Sequence, residues 1–319
     1  MHSPFSLTKE LTPVLPLQGG YSDRFGATIA TPAIAEKGKL DVRVQVSTPG
    51  GHSSVPPAHT SIGMLSRIIT ELEENPHPNA LKRQGTYYHQ MQCLAENAPS
   101  LPSILKGLIK ASQPSRTLSR PTGTTQAVDI INGGVKSNAL PEQAYAIVNH
   151  RIADYSSVTE LEGRFARIVA PIARSFNLSL NAFENETLST DEQASAAGRL
   201  SLTDAYGTGL NPAPITPTAG SGPWQLLSGS ILFTFATNKR SDLTHEKVSV
   251  APGLSLGNTD TRHYWNLTEH IFRYGHLGAA DRYNGAHTVN EAVKAEGLLE
   301  MIRFFSIFIL NADETDLLA

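Results

Sequence analysis

Four short stretches carry residues whose types and spacing suit chemistry. The first, Gly50-Gly51-His52-Ser53-Ser54, directly follows a run of alternating apolar residues. Two glycines let a backbone turn tightly and lift the histidine clear of a sheet. There it can donate a hydrogen bond to a developing oxyanion. The same stretch also reads as a turn histidine without a task. The second stretch pairs Asn138-Ala-Leu-Pro-Glu with Val148-Asn149-His150-Arg151. Asn138 suits a turn and Arg151 a solvated strand edge. Together they suit a carboxylate clamp, because the guanidinium fork matches a carboxylate in two places.

The third stretch is Gly257-Asn-Thr-Asp-Thr-Arg-His-Tyr, ending at Tyr264. Its backbone N–H groups, Asn258 and Arg262 suit an anionic substrate group. The other reading is a loop in which Arg262 pairs with Asp260. The fourth is Gly285-Ala-His287-Thr-Val-Asn-Glu291. Thr288 and Glu291 have capping-box spacing, so this stretch is expected to open the final helix. His287 would then sit at the positive helix end, which keeps an imidazole neutral, as a metal ligand must be. A satisfied structural histidine is the plainer reading.

These stretches need elements to position them. Residues 40–46 alternate as a half-buried strand, ended by Thr48-Pro-Gly-Gly51. Ile62, Leu65, Ile68, Ile69 and Leu72 share one face of a helix that stops near Pro76. Residues 77–122 read as an insertion beside the sheet, with a short helical stretch over Ile104–Ile109. Thr125–Ile131 and Ala144–Ile152 form an antiparallel strand pair. Residues 157–175 form a helix that Pro171 is expected to kink or shorten. Leu178–Phe183 is a further strand. The order β-α-β-β-α-β predicts a ferredoxin-like domain. Residues 186–260 are rich in Pro, Gly, Ser and Thr, and 288–311 read as a long helix that is apolar on most of its surface. Residues 1–38 and 186–319 therefore look like two parts of one α/β unit, interrupted by the ferredoxin-like domain.

The bulk arithmetic narrows the function classes. The chain has 319 residues, 26 Lys and Arg against 29 Asp and Glu, a net charge of −3 and one cysteine. The balance gives no electrostatic case for nucleic acid. A single cysteine excludes an intrachain disulfide and a Cys-rich zinc site. No apolar run reaches the ~18 residues of a membrane span. The first residues, MHSPFSLTKE, lack the pattern of a signal peptide. The sequons at Asn177, Asn185 and Asn266 matter only in a secretory lumen.

Taken in order, GGHSSVPP, NALPE, VNHRI, SGPW, GNTDTRHYWNLT, IFRYG and GAHTVNE resemble the M20 metallopeptidases, nearest to the carboxypeptidase S group known from fungi. The resemblance runs from about Gly19 to Phe305. It implies a partial α/β catalytic domain carrying two zinc ions, with an inserted ferredoxin-like α+β lid and dimerisation domain. The implied boundaries are 1–39 for a catalytic remnant, 40–185 for the lid with its insertion at 77–122, and 186–319 for the rest of the catalytic domain. It implies His287 as a zinc ligand and His52 as the lid histidine that stabilises the oxyanion. It implies Asn138 and Arg151 as lid residues that hold a substrate carboxylate. Asn258 and Arg262 fall on a substrate-facing loop of the catalytic domain. The implied reaction is hydrolysis of a peptide or N-acyl amino-acid amide bond, with a homodimer formed through the lid. Relatives occupy a vacuole or secretory lumen.

The sequence departs from the family in its metal ligands. Residues 1–40 contain no His-x-Asp and no Glu-Glu, and the Asp-Glu-Gly-Gly position reads Leu17-Gln18-Gly19-Gly20. His287 is the one family ligand left, and one histidine cannot hold two zinc ions. Two explanations stand: an N-terminally truncated or misjoined product, or a non-catalytic relative kept for dimerisation or ligand binding. Either predicts exposed apolar surface where the missing strands would lie.

Overall fold

The computed structural model describes residues 19–78, 82–111, 123–189, 197–238, 240, 247–285 and 288–318. Its strands in chain order are β1 (Tyr21–Arg24), β2 (Ala27–Ala30), β3 (Ala33–Glu36), β4 (Gly38–Ser47), β5 (Gly51–His52), β6 (Thr125–Gly133), β7 (Ala139–Leu140), β8 (Gln143–Ile152), β9 (Leu178–Ala182), β10 (Gly198–Asp204), β11 (Val248–Val250), β12 (Gly253–Ser255), β13 (Arg282–Tyr283) and β14 (Ala292–Val293). Its α-helices are α1 (Ser61–Glu74), α2 (Thr86–Asn97), α3 (Ser103–Ala111), α4 (Val158–Ser175), α5 (Gly222–Ala236) and α6 (Ala295–Glu314). Contacts divide the chain into two compact units: unit 1 holds 1–37, 79–122 and 213–319, and unit 2 holds 38–78 and 123–212.

Unit 2 is built on β4. Its alternating residues bury Leu40, Val42, Val44 and Val46 on one face and leave Lys39, Asp41, Arg43 and Gln45 on the other. The sheet order is β6-β8-β4-β10-β9. β4 and β8 pair antiparallel along their whole lengths, from Gly38↔Ile152 to Ser47↔Gln143. Helices α1 and α4 cover the apolar face with Leu65, Ile68 and Leu72, and with Leu161, Phe165 and Val169. Both helices are capped. Thr60 Oγ1 accepts from the Gly63 N–H and Ser157 Oγ from the Glu160 N–H, each cap contributing about 1 kcal/mol. Pro171 does not end α4, which runs on to Ser175. Burial of Ile172 and Ala173 beyond it outweighs the single lost hydrogen bond.

The β-α-β-β-α-β order holds, with one addition and two corrections to the boundaries. β10 lies between β4 and β9, antiparallel to the first and parallel to the second. Its Leu200 and Leu202 are fully buried, so the lid extends past 185 to about Pro212. Segment 79–122, expected as an insertion in the lid, belongs to unit 1. Its Met91, Leu94, Leu105 and Ile109 bury against Ala27, Ile29, Ala35, Ala251 and Leu254.

In unit 1, β2 pairs antiparallel with β1 and parallel with β11, and β3 pairs parallel with β12. Strands β2 and β3 are buried at every residue. A second core joins Tyr21, Leu227, Ile231, Phe235 and Phe304. The final helix starts at Ala295, not at Thr288. Thr288 and Glu291 instead close a turn, with the Glu291 N–H donating to the Thr288 carbonyl. Along α6 only Gly297 and Phe304 are buried. Leu298, Leu299, Ile302, Phe305, Ile309 and Leu310 face outward, Leu299 and Ile309 at 65% and 63% exposure. The final helix therefore carries an exposed apolar face. Among the described residues no helix is long and apolar enough to cross a membrane.

Candidate functional site

The turn after β4 is pinned at several points. The Thr48 N–H donates to the Glu142 carbonyl and the Ser53 N–H to the Asn138 carbonyl. β5 pairs with β7, setting His52 opposite Ala139. His52 and Asn138 are thus brought together at one end of the sheet. The Ser54 N–H donates to His52 Nδ1 at 3.1 Å. A nitrogen that accepts this bond carries no proton, so the neutral ring holds its proton on Nε2. His52 is exposed, which leaves that Nε2–H free to donate outward.

Arg151 is not part of this group. It lies near the far end of β8, opposite Lys39 and Thr125. Gln143, beside the turn, and Arg151 are eight residues apart, or about 27 Å of strand. The clamp expected of Asn138 and Arg151 is therefore not formed within one lid. Asn138 precedes β8 at the turn, and Arg151 lies one residue from the other end of that ten-residue strand. Beside Arg151 on the same face, Asn149 donates to Asp41 Oδ1, and the Arg43 guanidinium stacks over Tyr145.

Asn258 and Arg262 lie in unit 1, on the loop that enters a short 3-10 turn over Asp260–His263. Arg262 Nε donates to His263 Nε2 at 3.2 Å rather than pairing with Asp260. A buried carboxylate holds the loop in shape. Glu36, fully buried at the end of β3, accepts from Thr259 Oγ1 at 2.5 Å and from Thr261 Oγ1 at 2.8 Å. It also pairs with Arg273 Nε at 2.9 Å. Burial lowers the Arg273 pKa, and the Glu36 charge opposes that shift. Asn258 Nδ2 donates to the Lys37 carbonyl, while Asn258 Oδ1 and Trp265 Nε1 are buried without a partner. The loop thus keeps unused hydrogen-bonding capacity, each orphan atom costing about 1–3 kcal/mol.

His287 lies outside the described residues, as do Leu17 and Gln18. With α6 starting at Ala295, the argument that placed His287 at a helix end no longer applies. Among the described residues no group of three or more His, Cys, Asp or Glu could hold a metal ion.

Residues 34–177 match the peptidase dimerisation domain of the M20 family. Carboxypeptidase S of Saccharomyces cerevisiae is 37% identical over 302 residues, 90% of this chain and 51% of its own length. An uncharacterized carboxypeptidase of Schizosaccharomyces pombe is 35% identical over 311 residues, 93% of this chain and 50% of its own. The chain belongs to the M20 family, in its carboxypeptidase S-like branch.

The M20 chain spans about half the length of the curated relatives it matches. Solved structures of human carnosine dipeptidase 1 and of an M20 family metallo-carboxypeptidase from Sulfolobus solfataricus share its fold. The first has a TM-score of 0.53 at 12% identity, covering 89% of this chain and 57% of that one. The second has a TM-score of 0.52 at 14% identity, covering 96% and 65%. Two features of the M20 chain escaped the motif reading. Glu36 was hidden as the one acid in the apolar run 27–36, yet a lone acid in such a run must be paired if it is buried. His77 and His150 face each other with ring centroids 5.6 Å apart, and burial lowers both pKa values to about 4.

Proposed function

We propose that this M20 chain is part of an amide-bond hydrolase for peptides or N-acyl amino acids with a free carboxylate. The observation that supports it is the His52 tautomer. The Ser54 N–H occupies Nδ1 and leaves an Nε2–H donor at the tip of a stitched turn. Such a donor stabilises the oxyanion formed when water adds to an amide carbonyl, and removing one typically lowers kcat about 10²–10³-fold. Asn138 beside it would orient the substrate. In unit 1, taken by itself, Asn258 and Arg262 would suit an anionic group.

M20 relatives include a metallo-carboxypeptidase, and zinc is the expected ion. The donor set of the described residues does not fit a two-zinc centre, which needs three or four ligands per ion. No step of this reading is routed through a metal. The expected result is weak zinc binding and no hydrolysis by this chain alone, with the His52 ring resonances shifted by N-acetyl amino acids. Unmoved His52 resonances at saturating ligand would overturn the reading.

A second reading is a non-catalytic protein that dimerises or binds a ligand, favoured by the same donor set. Stoichiometric zinc with hydrolysis abolished by His287→Ala would remove it. Under either reading a homodimer forms through unit 2. β6 is an edge strand of its sheet, and Ile130 and Ile131 on it are exposed. A monomer by sedimentation equilibrium at high concentration would count against the dimer.

A further inference from the structure

Sequons of the form Asn-x-Ser/Thr stand at Asn177, Asn185 and Asn266, and the structure separates them. At Asn177 the partner hydroxyl is out of reach. Ser179 lies on β9 at 5% exposure, with Oγ donating to the Gly198 carbonyl. At Asn266 the partner Thr268 turns elsewhere. Its N–H donates to the Tyr264 carbonyl and its Oγ1 accepts from the His270 N–H.

Asn185 differs. It sits in the turn that follows β9, half-buried between exposed Glu184 and exposed Glu186. Its Oδ1 accepts from the Thr187 N–H at 2.9 Å and from Thr187 Oγ1 at 2.7 Å. A backbone N–H can only donate, so the atom facing it is Oδ1, and Nδ2 is turned away with its protons unused. Two donors on one amide oxygen draw electron density toward it, which makes the Nδ2 protons easier to remove. The turn is also local. The Asn185 N–H donates to the Ala182 carbonyl, and the Leu188 and Ser189 N–H groups donate to the Asn185 carbonyl. Residues 182–189 close it among themselves, so it can form in a chain still being made.

β9 gives such a site a task. Among the described residues it ends the sheet order β6-β8-β4-β10-β9, so one of its sides offers unpaired backbone groups. An edge of this kind templates pairing with another chain unless it is covered. A glycan is bulky and hydrated, and one on Asn185 would stand just past the end of β9 at Ala182.

We propose that Asn185 is an acceptor for an N-linked glycan, and that the glycan covers the β9 edge and leaves β6 as the open one. The donor class is an oligosaccharide carried on a polyprenyl diphosphate. Asn185 Nδ2 bonds to the anomeric carbon, and the bond from that carbon to the diphosphate oxygen breaks. The polyprenyl diphosphate leaves, and one Nδ2 proton passes to a base of the transferase. The site stands apart from the hydrolase reading and does not depend on it.

The test is translation of the whole chain behind a cleavable secretory leader with endoplasmic-reticulum microsomes, each sequon being read by glycosidase release and peptide mass. The leader supplies entry to the lumen, so the site alone is tested. Asn185 should carry most of the glycan. Thr187→Ser should keep it and Thr187→Ala should lose it, with Asn177 and Asn266 unaffected. An unmodified Asn185, or a glycan that survives Thr187→Ala, would overturn the acceptor. Sedimentation tests the cover. Enzymatic release leaves an aspartate that can still accept from the Thr187 N–H, and the released protein should self-associate further than the glycosylated one. Equal association of the two forms would overturn the cover.

Discussion

Ser54 holds His52 through its backbone N–H, 3.1 Å from Nδ1. The bond lies within one turn, so the tautomer is set locally by GGHSS and not by a distant partner. A proline at position 54 has no N–H to give. Ser54→Pro should turn a single Nε2–H tautomer into a mixture, read from the ring nitrogen shifts in long-range 1H–15N spectra. An unchanged Nε2–H pattern in the variant would show that another group holds the ring.

The His77–His150 pair makes unit 2 acid-labile. His150 is fully buried, with Nδ1 against the Leu40 carbonyl and Nε2 without a partner. Phe165 packs on its ring, and Arg164 donates to the carbonyls of Asn75 and Pro76 next to His77. Burial lowers both histidine pKa values from 6.5 to about 4. The unfolded chain therefore binds protons that the folded one refuses. Stability is complete above pH 6.5 and falls as pH drops from there toward 4. The slope should reach up to about 1.4 kcal/mol per pH unit for His150 and less for the partly exposed His77. Urea unfolding across this window should flatten in His77→Gln.

Glu36 and Arg273 should be coupled. Glu36→Ala leaves the Arg273 guanidinium buried without its carboxylate and should cost about 3–5 kcal/mol. Arg273→Met on that background should restore part of the loss. Simple additivity in the double variant would argue against a direct pair.

Gly198 admits β10 to the sheet. Its φ is +139°, and a Cβ there would lie 2.1 Å from the Ser47 carbonyl oxygen. Gly198→Ala should therefore detach the start of β10 and lower Tm, with amide protection lost at Leu200 and Leu202. Retained protection would mean that the strand can shift to make room.

The outward face of α6 should bind the dye ANS in the native state. Leu299→Lys with Ile309→Lys should reduce that fluorescence and raise solubility without lowering Tm, since neither side chain is buried.

Much of unit 2 was legible because its signals are periodic. The alternation in 40–46 and the apolar stripes of α1 and α4 each state a face, and the faces agree. β10 was not legible, since a short strand after a polar stretch without a periodic pattern shows its place only through its partner. Helix α2 was missed for a related reason: Tyr87, Tyr88, Gln90 and Met91 are buried together, which blurs any stripe. At the site, GGHSS marked the bend that follows β4, and the structure places His52 there on the short strand β5. Asn138 and Arg151 are near one another in motif order but are separated by most of β8, which the motifs alone do not show. The fourth motif was read through a helix that starts several residues later.

The connectivity of the two units has a consequence for how the protein is made. The chain passes between units at 37/38, 78/79, 122/123 and 212/213. Unit 2 has all its residues once position 212 has left the ribosome. β2 must wait for β11, since Ala30 pairs with Val250. Unit 1 therefore carries two fully buried strands, β2 and β3, whose parallel partners β11 and β12 follow about 220 residues later. Contacts of such long sequence separation form slowly. During synthesis, β2 and β3 stay open to a chaperone until β11 and β12 follow.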